Sequence, residues 1–118
     1  MAYVDGFVLC IPRAKLAAYK RMARLGARVW MKHGALEYRE CIGDDMDSKG
    51  MGVPFPRFAR AKKGEVVFFS YIVYRSRAHR DAVNRRVMKD PGMGQVPPDM
   101  PFDMKRMAYG GFKVFVQG

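Results

Sequence analysis

Residues 65–74 read EVVFFSYIVY. Apart from Glu65 and Ser70, all of these side chains are β-branched or aromatic. This composition predicts a β-strand. Successive side chains of a strand point to opposite faces, and here apolar side chains occupy both sets of alternating positions. A strand with one face in water would alternate between apolar and polar residues, so residues 65–74 predict a strand that is covered on both faces.

Outward from this strand, the chain predicts two helices and three more strands. Apolar residues recur at intervals of three and four over residues 13–33, with lysines and arginines on the opposite side, which is typical of an amphipathic helix ended by Gly34. Ser76 is the expected N-cap of a second helix that runs to about Lys89. The other strands are predicted at 3–11, 36–43 and 105–117, and loops rich in glycine and proline at 44–64 and 91–103.

The order βαββαβ predicts one ferredoxin-like α+β domain over residues 1–118. We expect a four-stranded antiparallel sheet in the order 4-1-3-2 with both helices on one face, because each crossover is then right-handed. The second face would expose a large apolar surface, which a two-fold dimer with its sheets face to face would cover. The residues predicted for this dimer interface are Asp5, Phe69, Tyr71 and Phe112, with Asp5 paired to Arg106 or Lys105.

RNA, rather than a second copy of the chain, could instead cover the second face of the sheet. The RNA recognition motif has the same topology and stacks bases on aromatic side chains of its sheet. Its signature, a basic residue followed by Gly-aromatic-Gly/Ala-Phe-Val, lies in strand three. Here the similar sequence GGFKVFV falls at residues 110–116, in the predicted strand four, and strand three has no glycine. The likeness is in the wrong strand, although the net charge of +11 keeps nucleic acid open as a partner.

Four segments together resemble a known bacterial family. They are YVDGF at 3–7, HGAL followed by GDD at 33–45, RDAVNRRVMKDP at 80–91 and MPFDMKRMAYGGF at 100–112. The chain is similar over nearly its whole length to the domain of unknown function 1428 family, a branch of the dimeric α/β barrel proteins. The resemblance implies a ferredoxin-like subunit that pairs with a second copy into a barrel, and it implies no particular activity.

A pocket between the sheet and the helices is the candidate site, because relatives with the dimeric α/β barrel fold often hold small aromatic or polyketide-like substrates there. Tyr19, Trp30 and His33 share the apolar side of the first helix, and Tyr38 and Glu40 share one face of strand two. Tyr19, Trp30 and Tyr38 are the predicted ligand-binding residues, and His33 and Glu40 are the predicted catalytic bases. Simple packing of the same side chains stays open as the alternative.

No metal or cofactor is expected, since neither histidine lies at ligand spacing from another histidine or a cysteine. Cys10 and Cys41 fall in strands one and two, which strand three separates, so we expect them to be reduced and unpaired. Asp5 interrupts the first apolar run, no basic segment precedes it, and no run approaches the roughly 18 apolar residues of a membrane span. These features predict a cytoplasmic protein with no membrane contact.

Three functions remain open from the sequence. The first is binding, or metal-free conversion, of a small aromatic or apolar molecule by a homodimer. The second is RNA binding through the basic surface, which the charge of +11 favours. The third is a structural or partner-binding dimer that docks through the loop at 91–103. The residues alone do not decide whether the protein is an enzyme.

Overall fold

A computed structural model describes residues 1–95 and 100–118 of the chain. Seven elements build the fold: β1 Tyr3–Pro12, α1 Leu16–Lys32, β2 Glu37–Ile42, α2 Phe55–Phe58, β3 Glu65–Tyr74, α3 Arg77–Met88 and β4 Ala108–Lys113. Short 3-10 turns occur at Arg13–Lys15, Pro91–Gln95 and Met104–Arg106. None of the described helices has the length and apolar character needed to cross a bilayer.

The four strands form one antiparallel sheet in the order β2-β3-β1-β4. This confirms the predicted α+β class and the predicted strand order. The two central strands are also the longest, with ten residues each, and they pair from Tyr3 opposite Tyr74 to Pro12 opposite Glu65. Interior strands are shielded on both edges, and β3 is apolar on both faces as its sequence predicts.

One face of the sheet, which we call the helix-covered face, carries the odd-numbered residues of β1 and packs against α1 and α3. Around Tyr74, which is fully buried, the core includes Val29 from α1 and Val83 from α3. A second part of the core surrounds Ile11 and takes Tyr19 from α1. Both helices therefore lie on the same side, as predicted. Ser76 caps α3 through a 3.0 Å hydrogen bond that its Oγ accepts from a backbone N–H.

The opposite face, which we call the open face, carries the even-numbered residues of β1. Among the described residues, α2 covers one end of it and the rest is uncovered. The sequence did not predict α2, because four residues are too few to show a helical period. Phe55 of α2 packs edge-on against Phe69 with ring centroids 6.3 Å apart. Cys10 lies beneath the same cover and donates from Sγ to the Ala59 carbonyl at 3.6 Å.

The last strand is shorter than predicted. The sequence suggested a strand over 105–117, whereas β4 covers Ala108–Lys113. Its register runs from Ala108 opposite Val8 to Lys113 opposite Tyr3. Since β1 begins at Tyr3, pairing after Lys113 is limited, within the described residues, to one bond in which the Val114 N–H donates to the Ala2 carbonyl at 3.0 Å, and Phe115 is 92% exposed. Of the predicted loop at 91–103, residues 96–99 lie outside the described residues, so its proposed docking role stays a prediction.

Candidate functional site

A cavity of about 420 Å³ lies between α1 and the helix-covered face of the sheet. Its volume falls within the range of roughly 300–1,000 Å³ that small-molecule sites occupy. The walls are almost entirely apolar and come from α1, from the sheet and from the segment that precedes β4. Their main side chains are Phe7, Met22, Trp30, Ile72, Phe102 and Met107.

Besides Arg39, the lining includes four polar residues that hydrogen-bond to one another, and we call them the Glu40 cluster: Glu40, Tyr38, Ser70 and Tyr19. The Tyr19 hydroxyl donates to Glu40 Oε1 at 2.6 Å, and Ser70 Oγ donates to the same oxygen at 2.5 Å. The Tyr38 hydroxyl donates to Oε2 at 2.9 Å. Sheet register explains part of this meeting, because Glu40 on β2 lies directly opposite Ser70 on β3.

The hydroxyls of the Glu40 cluster act as donors to an ionised carboxylate. Burial raises the pKa of the Tyr19 phenol, and the adjacent Glu40 charge raises it further. The same two causes, in the same order, raise the pKa of Tyr38. Both phenols therefore keep their protons at neutral pH and donate to Glu40. A carboxylate offers about four acceptor positions, and donors from the described part of the chain fill three of them, two on Oε1 and one on Oε2.

Trp30 also lines the cavity, and α3 holds its orientation. Its indole N–H donates to Asn84 Oδ1 at 3.1 Å, and its ring lies 6.2 Å from that of Tyr38 between centroids. Gly26, one turn earlier on α1, lets Tyr38 approach the helix closely. A Cβ at residue 26 would come within 2.8 Å of the Tyr38 hydroxyl oxygen, so the absence of a side chain there shapes this end of the cavity.

The structure brings Tyr19, Trp30, Tyr38 and Glu40 together at one cavity but does not bring His33 to it. His33 follows the last residue of α1 as its C-cap, so the helical stripe that points into the cavity ends before it. Its Nε2 lies 2.7 Å from Asp90 Oδ2. Hydrogen bonds, that from His33 foremost, lower the pKa of Asp90 to about 2. This contact joins the C-terminal end of α1 to the segment that follows α3.

Asp5 does not lie on the open face, where the predicted dimer interface would be. Its odd position in β1 places it on the helix-covered face, where it is 2% exposed. It pairs with Arg80 of α3 at 2.8 Å rather than with Arg106 or Lys105. The expected pairing is therefore wrong. Arg106 instead forms an ion pair with Glu65 at 2.8 Å.

The other residues predicted for the dimer interface do share the open face. Phe69 is 46% exposed and Phe112 is 61% exposed, whereas Tyr71 is half-buried. They surround a shallow depression of about 500 Å³ that Phe58 of α2 closes on one side. These side chains form a continuous apolar surface on the described part of the molecule.

The cysteines are both free, as predicted. Cys10 is buried in β1 and Cys41 is exposed on β2. β3 runs between these two strands, which keeps the thiols on separate strands. In the ranges 1–95 and 100–118, no three His, Cys, Asp or Glu side chains lie together as a group that could hold a metal ion.

Sequence reasoning missed Ser70 and the methionines that line the cavity. Ser70 is 5% exposed, and it faces the helices within a strand that is otherwise apolar. A single hydroxyl in a strand covered on both faces must find a hydrogen-bond partner, and that was the available signal. Met93, Met100 and Met107 showed no pattern, because they reach the cavity from irregular segments.

The fold and the cavity define the class as a small single-sheet α+β protein with an apolar internal cavity that ends at a carboxylate. The family model described as Protein of unknown function (DUF1428) matches residues 2–104. The chain is 42% identical over 116 residues to the Uncharacterized protein YbaA of Escherichia coli strain K12, with 98% of each chain covered. Identity and coverage are the same for the Uncharacterized protein YbaA of Shigella flexneri. The chain therefore belongs to the DUF1428 family.

Proposed function

We propose that this protein binds a small apolar or aromatic molecule, without a metal, in the cavity between α1 and the sheet. The observation that carries the proposal is the combination of a cavity of about 420 Å³, apolar walls and one convergent polar cluster at Glu40. Binding sites for small molecules combine these three features. Glu40 is also the group that would accept a proton from a bound ligand, if binding leads to a reaction.

Trp30 provides a direct test, because it is the only tryptophan of the chain and it lines the cavity. Titration with a neutral aromatic probe, phenethyl alcohol, is expected to change the Trp30 fluorescence in a saturable way. Ala23→Phe places a ring inside the cavity and should weaken this binding at least about tenfold. Ala17→Phe is the matched control, because Ala17 lies on the same helix and is exposed. Equal binding by the two variants would contradict the proposal.

We further propose that two copies of the chain pair through the open face. Support comes from the exposed rings of Phe69 and Phe112 and from α2, which covers only one end of that face. A two-fold pairing buries the same apolar surface on both copies. Phe112→Asp is expected to give a monomer in sedimentation velocity, since each copy would bury a carboxylate. Met88→Asp, at a 69% exposed position of α3, should remain dimeric. A monomeric parent protein would refute the pairing.

Nucleic-acid binding is the second candidate function, and one feature of α1 favours it. Four exposed cations, Lys20, Arg24, Arg28 and Lys32, repeat every four residues on a helix that contains no acidic residue. Like charges at this spacing repel one another, and an anionic polymer would relieve that repulsion.

The test of this candidate separates the α1 stripe from the net charge. Arg24→Glu with Arg28→Glu should abolish salt-sensitive binding of a fluorescent RNA oligonucleotide. Arg75→Glu with Arg77→Glu makes the same change in net charge at exposed positions at the start of α3 and should leave most of the affinity. Equal losses in the two double variants would mean that only the net charge attracts RNA. Absence of binding by the parent protein at low salt would remove the candidate.

A further inference from the structure

Glu40 places a negative charge at the cavity of a protein whose net charge is +11. Arg39 also belongs to the cavity lining, but it forms its ion pair with Glu37. No Lys, Arg or His among the described residues forms an ion pair with Glu40. Its partners are the hydroxyls of Tyr19, Tyr38 and Ser70. Tyr19 and Ser70 are each 5% exposed, so this end of the cavity is largely shielded from water.

Three donated hydrogen bonds stabilise the carboxylate but do not neutralise its charge. Among residues 1–95 and 100–118, only the Tyr38 hydroxyl donates to Oε2, so with these donors one acceptor position remains on that oxygen. A ligand group that donates a hydrogen bond and carries a positive charge would fill that position and supply the missing counter-charge. A hydrogen bond between two charged groups is roughly twice as strong as one between neutral groups.

The aromatic walls favour the same ligand chemistry. Trp30 and Tyr38 both line the cavity, with ring centroids 6.2 Å apart, and Tyr38 also belongs to the Glu40 cluster. The faces of indole and phenol rings attract cations, and tryptophan attracts them most strongly. A ligand carboxylate would meet repulsion from Glu40 and from the ring faces. An alcohol would gain the hydrogen bond without the charge attraction.

We propose that the ligand of this cavity is an apolar or aromatic amine whose ammonium group binds Glu40. The inference rests on the proposed small-molecule function and adds the chemical class of the ligand. The ammonium group would donate to Oε2, and the apolar body would lie along α1 between Met22 and Phe102.

The experiment compares three probes of similar size: phenethylamine, phenethyl alcohol and phenylpropionate. Their dissociation constants for the full chain are measured by calorimetry and by Trp30 fluorescence. The amine should bind at least about tenfold more tightly than the alcohol, a difference of about 1.4 kcal/mol, and phenylpropionate should bind more weakly than either. Equal or tighter binding of the alcohol overturns the amine class while leaving the small-molecule function in place. Failure of all three probes to bind refutes the small-molecule function itself.

A pair of variants tests the role of Glu40. Glu40→Gln removes the charge and should bring the amine and alcohol affinities to within about threefold of each other. The Tyr and Ser hydroxyls can turn to accept from the new amide, so we expect the variant to fold. Asp45→Asn is the matched control: it also removes one negative charge, but Asp45 is exposed and does not line the cavity, so this variant should keep the tenfold preference. A preference that survives Glu40→Gln, or amine binding that survives Ala23→Phe, overturns the proposal.

Discussion

The ion pair between Asp5 and Arg80 is expected to contribute more to stability than any other ion pair among the described residues. Asp5 is 2% exposed, and its carboxylate has Arg80 as its ion-pair partner, with 2.8 Å between Oδ1 and Nη1. Arg80→Met removes the guanidinium but keeps an apolar stem against Tyr3, over whose ring the guanidinium lies at 5.0 Å. Loss of one partner from a buried pair costs about 3–5 kcal/mol, because the other charge stays buried. We expect a loss of that size in the free energy of unfolding at neutral pH.

A control is available on the same arginine. Arg80 Nε also lies 2.8 Å from Asp81 Oδ1, but the Asp81 side chain is 46% exposed. Exposed ion pairs contribute at most about 1 kcal/mol, because water screens both charges. Asp81→Asn should therefore lower the free energy of unfolding by no more than that amount. The measurement is urea unfolding followed by circular dichroism, with all variants at one protein concentration.

The pH dependence adds a second readout. Burial raises the pKa of Asp5 above its ordinary value of 3.8, and the Arg80 charge opposes that rise. Arg80→Met removes the opposition, so the folded-state pKa of Asp5 rises further. A raised folded-state pKa means that the folded state binds the proton more tightly than the unfolded state does. The loss in the free energy of unfolding caused by Arg80→Met should therefore grow as the pH rises through that pKa. It should fade as the pH falls towards 3.8. The reasoning would be refuted if Arg80→Met lowered the free energy of unfolding by no more than Asp81→Asn does. It would also be refuted if the loss in Arg80→Met did not change with pH.

Three further predictions concern stability. Hydrogen bonds from Arg106 lower the pKa of Glu65 from 4.5 to about 2, so the protein should lose stability as the pH falls through that interval, and Glu65→Gln should flatten this part of a stability profile measured by urea unfolding. Ser76→Ala removes the hydroxyl that caps the His79 N–H and should cost about 1 kcal/mol in the same assay, whereas Ser76→Asp should not. Ile11→Ala, at a fully buried position, should cost about 2–5 kcal/mol, and a loss below 1 kcal/mol would mean that the core around it collapses freely.

The secondary structure was predictable where the sequence pattern is long and local. β3 was recognised because its apolar residues occupy both alternating sets. The helices bury one set, and α2 covers part of the other, where Phe69 is still 46% exposed. α3 begins at Arg77 because Ser76 satisfies a free N–H of the first turn, which is a local signal. Strand order followed from chain connectivity and the right-handed crossover.

Predictions failed where the outcome depends on distant parts of the chain. β4 ends at Lys113 because β1 begins at Tyr3, a limit that residues 105–117 do not contain. His33 shares the helical stripe of Trp30 in sequence, but α1 ends just before it and Asp90 binds its ring. Asp5 was assigned a partner on the last strand, because the sequence does not show that Arg80, 75 residues later on α3, reaches it.

The candidate site, like the fold, was predictable only in part from the sequence. Glu40 and Tyr38 were placed on one strand face by alternation alone, and Tyr19 and Trp30 on one helix face by their spacing. Residue spacing does not encode that Ser70 lies opposite Glu40 or that Tyr19 reaches the same carboxylate, because both depend on the register of β2 with β3 and on where α1 crosses the sheet. The pattern of side chains along the sequence thus determines which residues face inward. The tertiary structure determines which of these residues meet, because hydrogen bonds act only over a few ångströms and folding brings distant parts of the chain that close.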